Sequence, residues 1–309
     1  MTTILGIFIG LLAALMQSSS YVFSGKYMRE SGRSIITLLS PSFTIMSLAS
    51  LLVLPFFLPE SMPPMRDYLG PAFLCIGFCI LGNIGLFFML KTVDASRASP
   101  LLAIKVPLLA LFYFSMGVER YSALQWLGVF LVVPAAWLLC KSGRLIPLRA
   151  LLWLLFACVG YGASDQCIKL TLEAFKPVCG SLFQYTMLSL FVVYASGGVY
   201  GLLGLLIGPR PSRQVWISYV LPFSFCWLLA MAALFSCFAF MGVVEGNIVQ
   251  STRGLISVIM GWFIAKAGYV NLEEVIPRGV LYKRIASAVL IILAIVLFNL
   301  GNSLLPARG

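Results

Sequence analysis

Three ionisable side chains in this sequence stand where ionisable side chains are costly. Lys105 interrupts "LLAIKVPLLALF", Arg253 interrupts "NIVQSTRGLISVIMGWF", and Asp165 lies with Lys169 in "GYGASDQCIKLT". A charge at the centre of a bilayer costs at least about 2.5 kcal/mol on insertion scales, so each needs a partner or a wet cavity. Arg253 offers a planar fork suited to carboxylate, sulfonate or phosphate, and Lys105 a compact point charge. Two cations straddling a cavity can hold one anion between them. The competing reading pairs each cation with a protein carboxylate or lets it snorkel to the interface. Acids are scarce. Asp165 is the only carboxylate clearly within an apolar run, with Lys169 one turn away to take it, and Glu119 closes a run as a helix-end or gate residue. Gln17, Ser18, Tyr21, Asn83, Gln184, Tyr185, Gln250 and Ser251 could line the same pathway, although singly each serves as well as interhelical glue. Trp227, Trp262, Phe87 and Phe88 are read as packing or lipid-facing groups rather than a cation cage.

Other chemistry finds little support. The chain has no histidine, which removes the commonest general base and the commonest zinc ligand. Its eight cysteines lie mostly in apolar runs and behave as small buried hydrophobes; Cys75 and Cys79 share a helix face without further ligands, so no metal site is expected. No Gly-rich loop ending in Lys-Ser/Thr is present to cradle ATP, and no cofactor is expected.

The elements that must position these residues are membrane helices. Of 309 residues 61% are hydrophobic and 10% charged, with a mean hydropathy of +1.02, far from the roughly 25% charged residues of a soluble domain. Ten apolar stretches of near-spanning length follow: about 4–24, 35–57, 68–90, 99–117, 122–140, 150–172, 179–207, 216–241, 247–265 and 284–304. The expected fold is an all-α integral membrane protein of ten transmembrane helices. The first span has no basic n-region and is expected to be retained rather than cleaved as a signal peptide. Connections are short, and the longest, 266–284, is expected to lie at the interface as a lid. Within a hydrocarbon core about 30 Å thick, Lys105 and Arg253 would each stand roughly 5 Å from the midplane, on opposite sides. The net charge of +11 is spread singly between apolar runs, which suits lipid headgroups and not nucleic acid. Basic residues crowd the loops after odd-numbered spans (Lys91, Lys141, Arg144 and Arg149 among them), which places those loops in the cytoplasm and both termini outside.

The basic link "KSGRLIPLR" divides the ten spans into five and five, 1–143 and 144–309. An odd number per half makes a repeat an inverted one. The register brings "QSSSYVFSGKYM" against "GYGASDQCIKLT" and "FFMLKTVDAS" against "FAFMGVVEGN", aligning Lys26 with Lys169, Asp94 with Glu245 and Gly117 with Gly268. Inverted repeats are common in secondary transporters, with substrate bound at the midplane between the halves.

The stretch from "GNIGLFFMLKTVDASRAS" to "LGVFLVVPAAWLL", with Pro107, Gly117, Glu119 and Gly128 in place, resembles the third-to-fifth-helix region of EamA-type members of the drug/metabolite transporter superfamily. The second half departs from that pattern, since "AKAGYVNLEEV" lacks a clean Gly-Glu pair and Arg253 replaces apolar residues. The resemblance implies ten helices and transport, with both termini in the cytoplasm, opposite to the charge bias. The related phosphate-sugar translocators resemble the arrangement of basic residues in matching helices of both halves. The expected function is secondary active transport of a small organic anion by alternating access in the cell inner membrane. Asp165, Glu119 and Lys169 are the coupling or gate residues, with Asp165 the candidate proton carrier. The expected partners are the substrate and the bilayer; a homodimer is left open. The rival readings are an exporter of neutral or zwitterionic amino acids, a lipid flippase, and a membrane-embedded enzyme acting on lipid-linked substrates.

Overall fold

A computed structural model of the chain describes residues 2–31, 34–93, 95–140, 146–208, 212–266 and 278–304. Among them there is no strand. The helices are α1 (Thr2–Ser31), α2 (Ile36–Val53), α3 (Met65–Leu90), α4 (Ala95–Leu101), α5 (Lys105–Ser115), α6 (Ala123–Cys140), α7 (Leu148–Phe175), α8 (Leu182–Ile207), the single turn α9 (Arg213–Val215), α10 (Leu221–Met241), α11 (Val243–Gln250), α12 (Arg253–Lys266) and α13 (Arg278–Leu304). Eight stretches are long and apolar enough to cross a membrane, and Ala123–Leu138 supplies a shorter apolar helix. The remaining crossing is α11 followed by α12, which completes the ten expected from the sequence. Large apolar side chains such as Phe8, Leu52, Leu206 and Ile207 point outward, the inverse of a water-soluble surface.

The eighth span opens with a π-helical turn at Trp216–Val220 between α9 and α10, and two other spans are interrupted partway along. The fourth is interrupted at Leu102–Ile104 by a tighter 3-10 turn between α4 and α5. Pro100 and Pro107 flank the interruption; each lacks the backbone N–H that a continuous helix would use. The ninth begins earlier than expected, at Val243, and breaks at Ser251 and Thr252. Those two hydroxyls turn back onto the carbonyls of Ile248 and Val249, at 2.5 and 2.7 Å. Lys105 and Arg253 are therefore not in the middle of unbroken helices. Each is the first residue of a half-helix that starts at an interruption.

Glycine seams hold the bundle together. A Cβ on Gly160 of α7 would lie 2.7 Å from the Gly82 nitrogen of α3, and one on Gly85 would lie 2.9 Å from the Ala157 nitrogen. Gly201 of α8 similarly meets the Thr44 nitrogen of α2 at 2.7 Å, and Gly128 of α6 the Ala294 carbonyl of α13 at 2.7 Å. In lipid, where apolar surface gains little by meeting other apolar surface, such close backbone approach is what associates helices. The main pairings are α1 with α10, α3 with α7, α2 with α8 and α6 with α13. Exchanging the first five spans for the last five maps this set onto itself. Asp94, Gly268 and residues 267–277 of the expected lid lie outside the described residues.

Candidate functional site

The two interrupted spans cross where Gly254, next to Arg253, packs on Pro100; a Cβ there would stand 2.8 Å from the Pro100 Cα. Ser99 and Ser257 approach to 3.1 Å across this crossing, and Ser257 also lies 3.2 Å from Ser18 of α1. Both half-helices α5 and α12 start at the crossing, which brings the two side-chain cations into the same region.

A continuous polar network runs through this centre. Lys105 Nζ donates to Asp165 Oδ2 at 2.9 Å and to Gln250 Oε1 at 3.0 Å. Asn247 Nδ2 donates to the same Asp165 oxygen at 2.9 Å. Gln250 Nε2 donates to Gln17 Oε1 at 2.8 Å, and Arg253 Nη1 donates to that oxygen at 2.6 Å. The Arg253 guanidinium also sits 5.4 Å from the Tyr21 ring centroid, with the Tyr21 hydroxyl 3.4 Å from Nη1. Lys105, Asp165, Asn247, Gln250, Gln17 and Arg253 are all buried. The network borders a cavity of about 20 Å³ whose other walls include Tyr161, Tyr194, Trp227, Met231 and Phe235.

The sequence expectation for Lys105 is corrected here. Its partner is a protein carboxylate, because α5 and α7 bring it against Asp165 within the low-dielectric interior. The pairing expected of Asp165 with Lys169 is corrected too. Lys169, one turn further along α7, reaches Glu119 at 3.1 Å and stacks 4.6 Å above the Tyr113 ring. Glu119 also accepts from the Tyr121 hydroxyl at 2.6 Å. Lys105 and Arg253, placed on opposite sides of the midplane by the sequence argument, line one cavity.

Four expected lining residues sit elsewhere. The Asn83 amide donates to the Cys79 carbonyl at 2.8 Å, and the Ser251 hydroxyl is spent on its own helix. Gln184, at the start of α8, accepts from the Gly180 nitrogen at 3.0 Å and donates to the Phe57 carbonyl at 3.3 Å, with Tyr185 in the same first turn. Trp227, read as packing, instead lines the cavity and donates to the Tyr194 hydroxyl at 2.7 Å; the Trp262 side chain lies outside the described residues. Asn247, not singled out from the sequence, is the first residue of the expected ninth span, 247–265, where a polar side chain reads as a helix end. Asp165 is also not the only deep acid: Glu245 is equally buried. It read as a connection because the apolar runs on either side pause at Gly242, whose φ of +83° ends α10 before α11 begins.

Comparisons with known proteins agree with this architecture. A solved structure described only as "Crystal structure of protein" superposes with a TM-score of 0.65 over 97% of this chain and 99% of that one, at 16% identity, a likeness of fold. No curated protein matches the chain. The model of the EamA-like transporter family matches residues 4–140, the whole of the first five-span half. Over those residues the chain is similar to the EamA-like transporters.

Proposed function

We propose that this multi-pass membrane transporter carries a small organic anion by alternating access, bound at the crossing of its two interrupted spans. One observation carries the reading: the centre holds two buried cations and one buried carboxylate, a surplus of one positive charge. Asp165 answers Lys105. Arg253 has only neutral oxygens, those of Gln17 and Tyr21, and its buried Nε has no hydrogen-bond partner. A buried guanidinium left this way is costly, and a ligand carboxylate approaching Nε and one terminal nitrogen would relieve it with a bidentate contact. Of the two buried cations, Arg253 is thus the anion-binding group and Lys105 the group that holds Asp165 in place.

The halves 1–143 and 144–309 would rock about this centre. A cavity of about 20 Å³ has room for little more than a water molecule, so substrate entry requires the walls to part. The Glu119–Lys169 pair with Tyr121 ties α7 to the loop after α5, and the Tyr219 hydroxyl donates to Glu30, tying the start of the eighth span to the end of α1. These contacts are the gates that would break in turn. The presence of Asp165 in the cavity also favours a second reading, in which a zwitterionic amino acid gives its carboxylate to Arg253 and its ammonium to Asp165. Net charge moved per cycle separates the two. The membrane proposed is the cell inner membrane.

The test is a thermal-shift screen of purified protein against acetate, benzoate, succinate, phosphate, methanesulfonate and amino acids, repeated with Arg253→Gln. Loss of one charge-assisted contact weakens the responsive anions by about 10- to 150-fold. Arg253→Gln that binds the same anions with unchanged affinity rules this site out.

A further inference from the structure

Glu245 is as buried as the charges of the central network, yet the anion site makes no use of it. Its Oε1 is buried without a hydrogen-bond partner, and Oε2 accepts a 3.3 Å contact from Asn302 Nδ2, with the Asn299 amide also beside the carboxylate. The groups facing it are uncharged: Asn302 and Asn299 of α13, the Cys237 thiol of α10, and the Phe238 ring against neighbouring Gly246. On α1 and α13, which also pack on α11, the charged positions (Lys26, Arg29 and Glu30; Arg278, Lys283 and Arg284) lie fifteen or more residues along the helix from Gly10 and Asn299, the residues nearest this end of α11. Lys105 of α5 and Asp165 of α7 hold each other, Lys169 of α7 holds Glu119, and α10 contains no charged residue. Among the described residues no Lys or Arg forms an ion pair with Glu245. A carboxylate buried in a membrane protein without a cation takes its counterion from solution, and the smallest is a proton.

We infer that Glu245 is a proton-binding site of the transporter, separate from the anion site and mechanically joined to it through α11. The access route is short. Asn302, which touches Glu245, is exposed at the end of α13 and accepts from Gln125 Nε2 at 2.6 Å. The joint is α11 itself, eight residues long, set off by the left-handed Gly242 before it and by the Ser251–Thr252 interruption after it. Two and five residues beyond Glu245, the same segment carries Asn247, which holds Asp165, and Gln250, which bridges Lys105 to Gln17. Beyond the interruption comes Arg253. A proton arriving at Oε1 removes the negative charge and turns an acceptor into a donor, so α11 must settle differently against α10 and α13. That displacement moves two of the amides that position the central ion pair. The proton site stands on its own geometry; its use in coupling rests on the transporter reading above.

Infrared difference spectra of the full-length protein in lipid nanodiscs, stepped between about pH 5 and pH 9, test the site without any substrate. The expected result is a titrating protonated-carboxyl C=O band that is lost in Glu245→Gln, kept in Asp165→Asn, and shifted in frequency but present in Glu245→Asp. The Asp variant guards against misfolding of the Gln variant. A band that survives Glu245→Gln, or a wild type with no such band, overturns the assignment. So does a band that vanishes at fixed pH when choline chloride is exchanged for sodium chloride, which would make Glu245 a metal-cation ligand. The relay is read in a variant that keeps Trp227 as its only tryptophan. Its emission should follow the same titration and become pH-independent with Glu245→Gln; a titrating Glu245 to which Trp227 is blind overturns the relay. Because none of these spectra involves an anion, they can fail while Arg253 still binds anions, and the anion screen can fail while Glu245 still titrates.

Discussion

At the scale of single residues, the centre of the protein separates two kinds of buried cation. Lys105 has a carboxylate 2.9 Å away and a Gln250 carbonyl oxygen at 3.0 Å, so its charge is matched inside the chain. Arg253 is matched only by dipoles and by the face of Tyr21. Their replacements should therefore differ in kind. Lys105→Met strands Asp165 in the interior and should lower stability by about 3–5 kcal/mol, read as a fall in the thermal unfolding midpoint in detergent. Adding Asp165→Leu removes the stranded charge and should restore much of that loss. Arg253→Gln should leave the midpoint close to the wild type, or raise it, while abolishing the anion response. Equal destabilisation by Lys105→Met and Arg253→Gln would contradict this division. That the sequence contains charges needing partners is plain from "LLAIKVPLLALF" alone; that Asp165 goes to Lys105 instead of Lys169 depends on how α5 and α7 face each other.

Elements impose the next level of constraint. Gly160 and Gly82 let α7 and α3 approach until a Cβ on one would stand 2.7 Å from the backbone of the other. Gly160→Val should force the two helices apart and reduce the yield of folded protein in detergent, whereas Gly70→Ala, with nothing within 4 Å of its Cβ position, should be neutral. Gly242 has open space around it but a φ of +83°, so Gly242→Ala pays in backbone strain, about 1–2 kcal/mol, and not in packing. If α11 is the lever between Glu245 and the centre, that variant should also alter the pH response of Trp227 by shifting the segment's starting angle. The interruption of the fourth span has a visible sequence cause in Pro100 and Pro107. That of the ninth is less visible: Ser251 and Thr252 are compatible with a continuous helix, and the break coincides with their hydroxyls turning back onto the carbonyls of Ile248 and Val249.

For the whole molecule, the open question of greatest consequence is which way up it sits. The basic loops after odd-numbered spans argue that the 141–149 link is cytoplasmic. A cysteine introduced there should be shielded from an impermeant thiol reagent in intact cells and react once the membrane is permeabilised. Ready labelling in intact cells reverses the topology and, with it, the side from which Asn302 admits protons. Length and hydropathy were enough to give ten crossings and an all-α membrane fold, and to mark Lys105, Asp165 and Arg253 as charges inside it. Those properties are local, set by the transfer of each segment from water to lipid, and each can be summed along the chain. The rest was decided only by tertiary structure: the interruptions that bring Lys105 and Arg253 to one cavity, the claim of Lys105 on Asp165, the removal of Asn83, Gln184 and Tyr185 from the site, and the burial of Glu245. Each of these depends on which side chain of a distant span arrives within hydrogen-bond reach. Contacts between residues 60 to 236 positions apart, such as Lys105 with Asp165 or Arg253 with Gln17, leave no periodic trace in a single sequence.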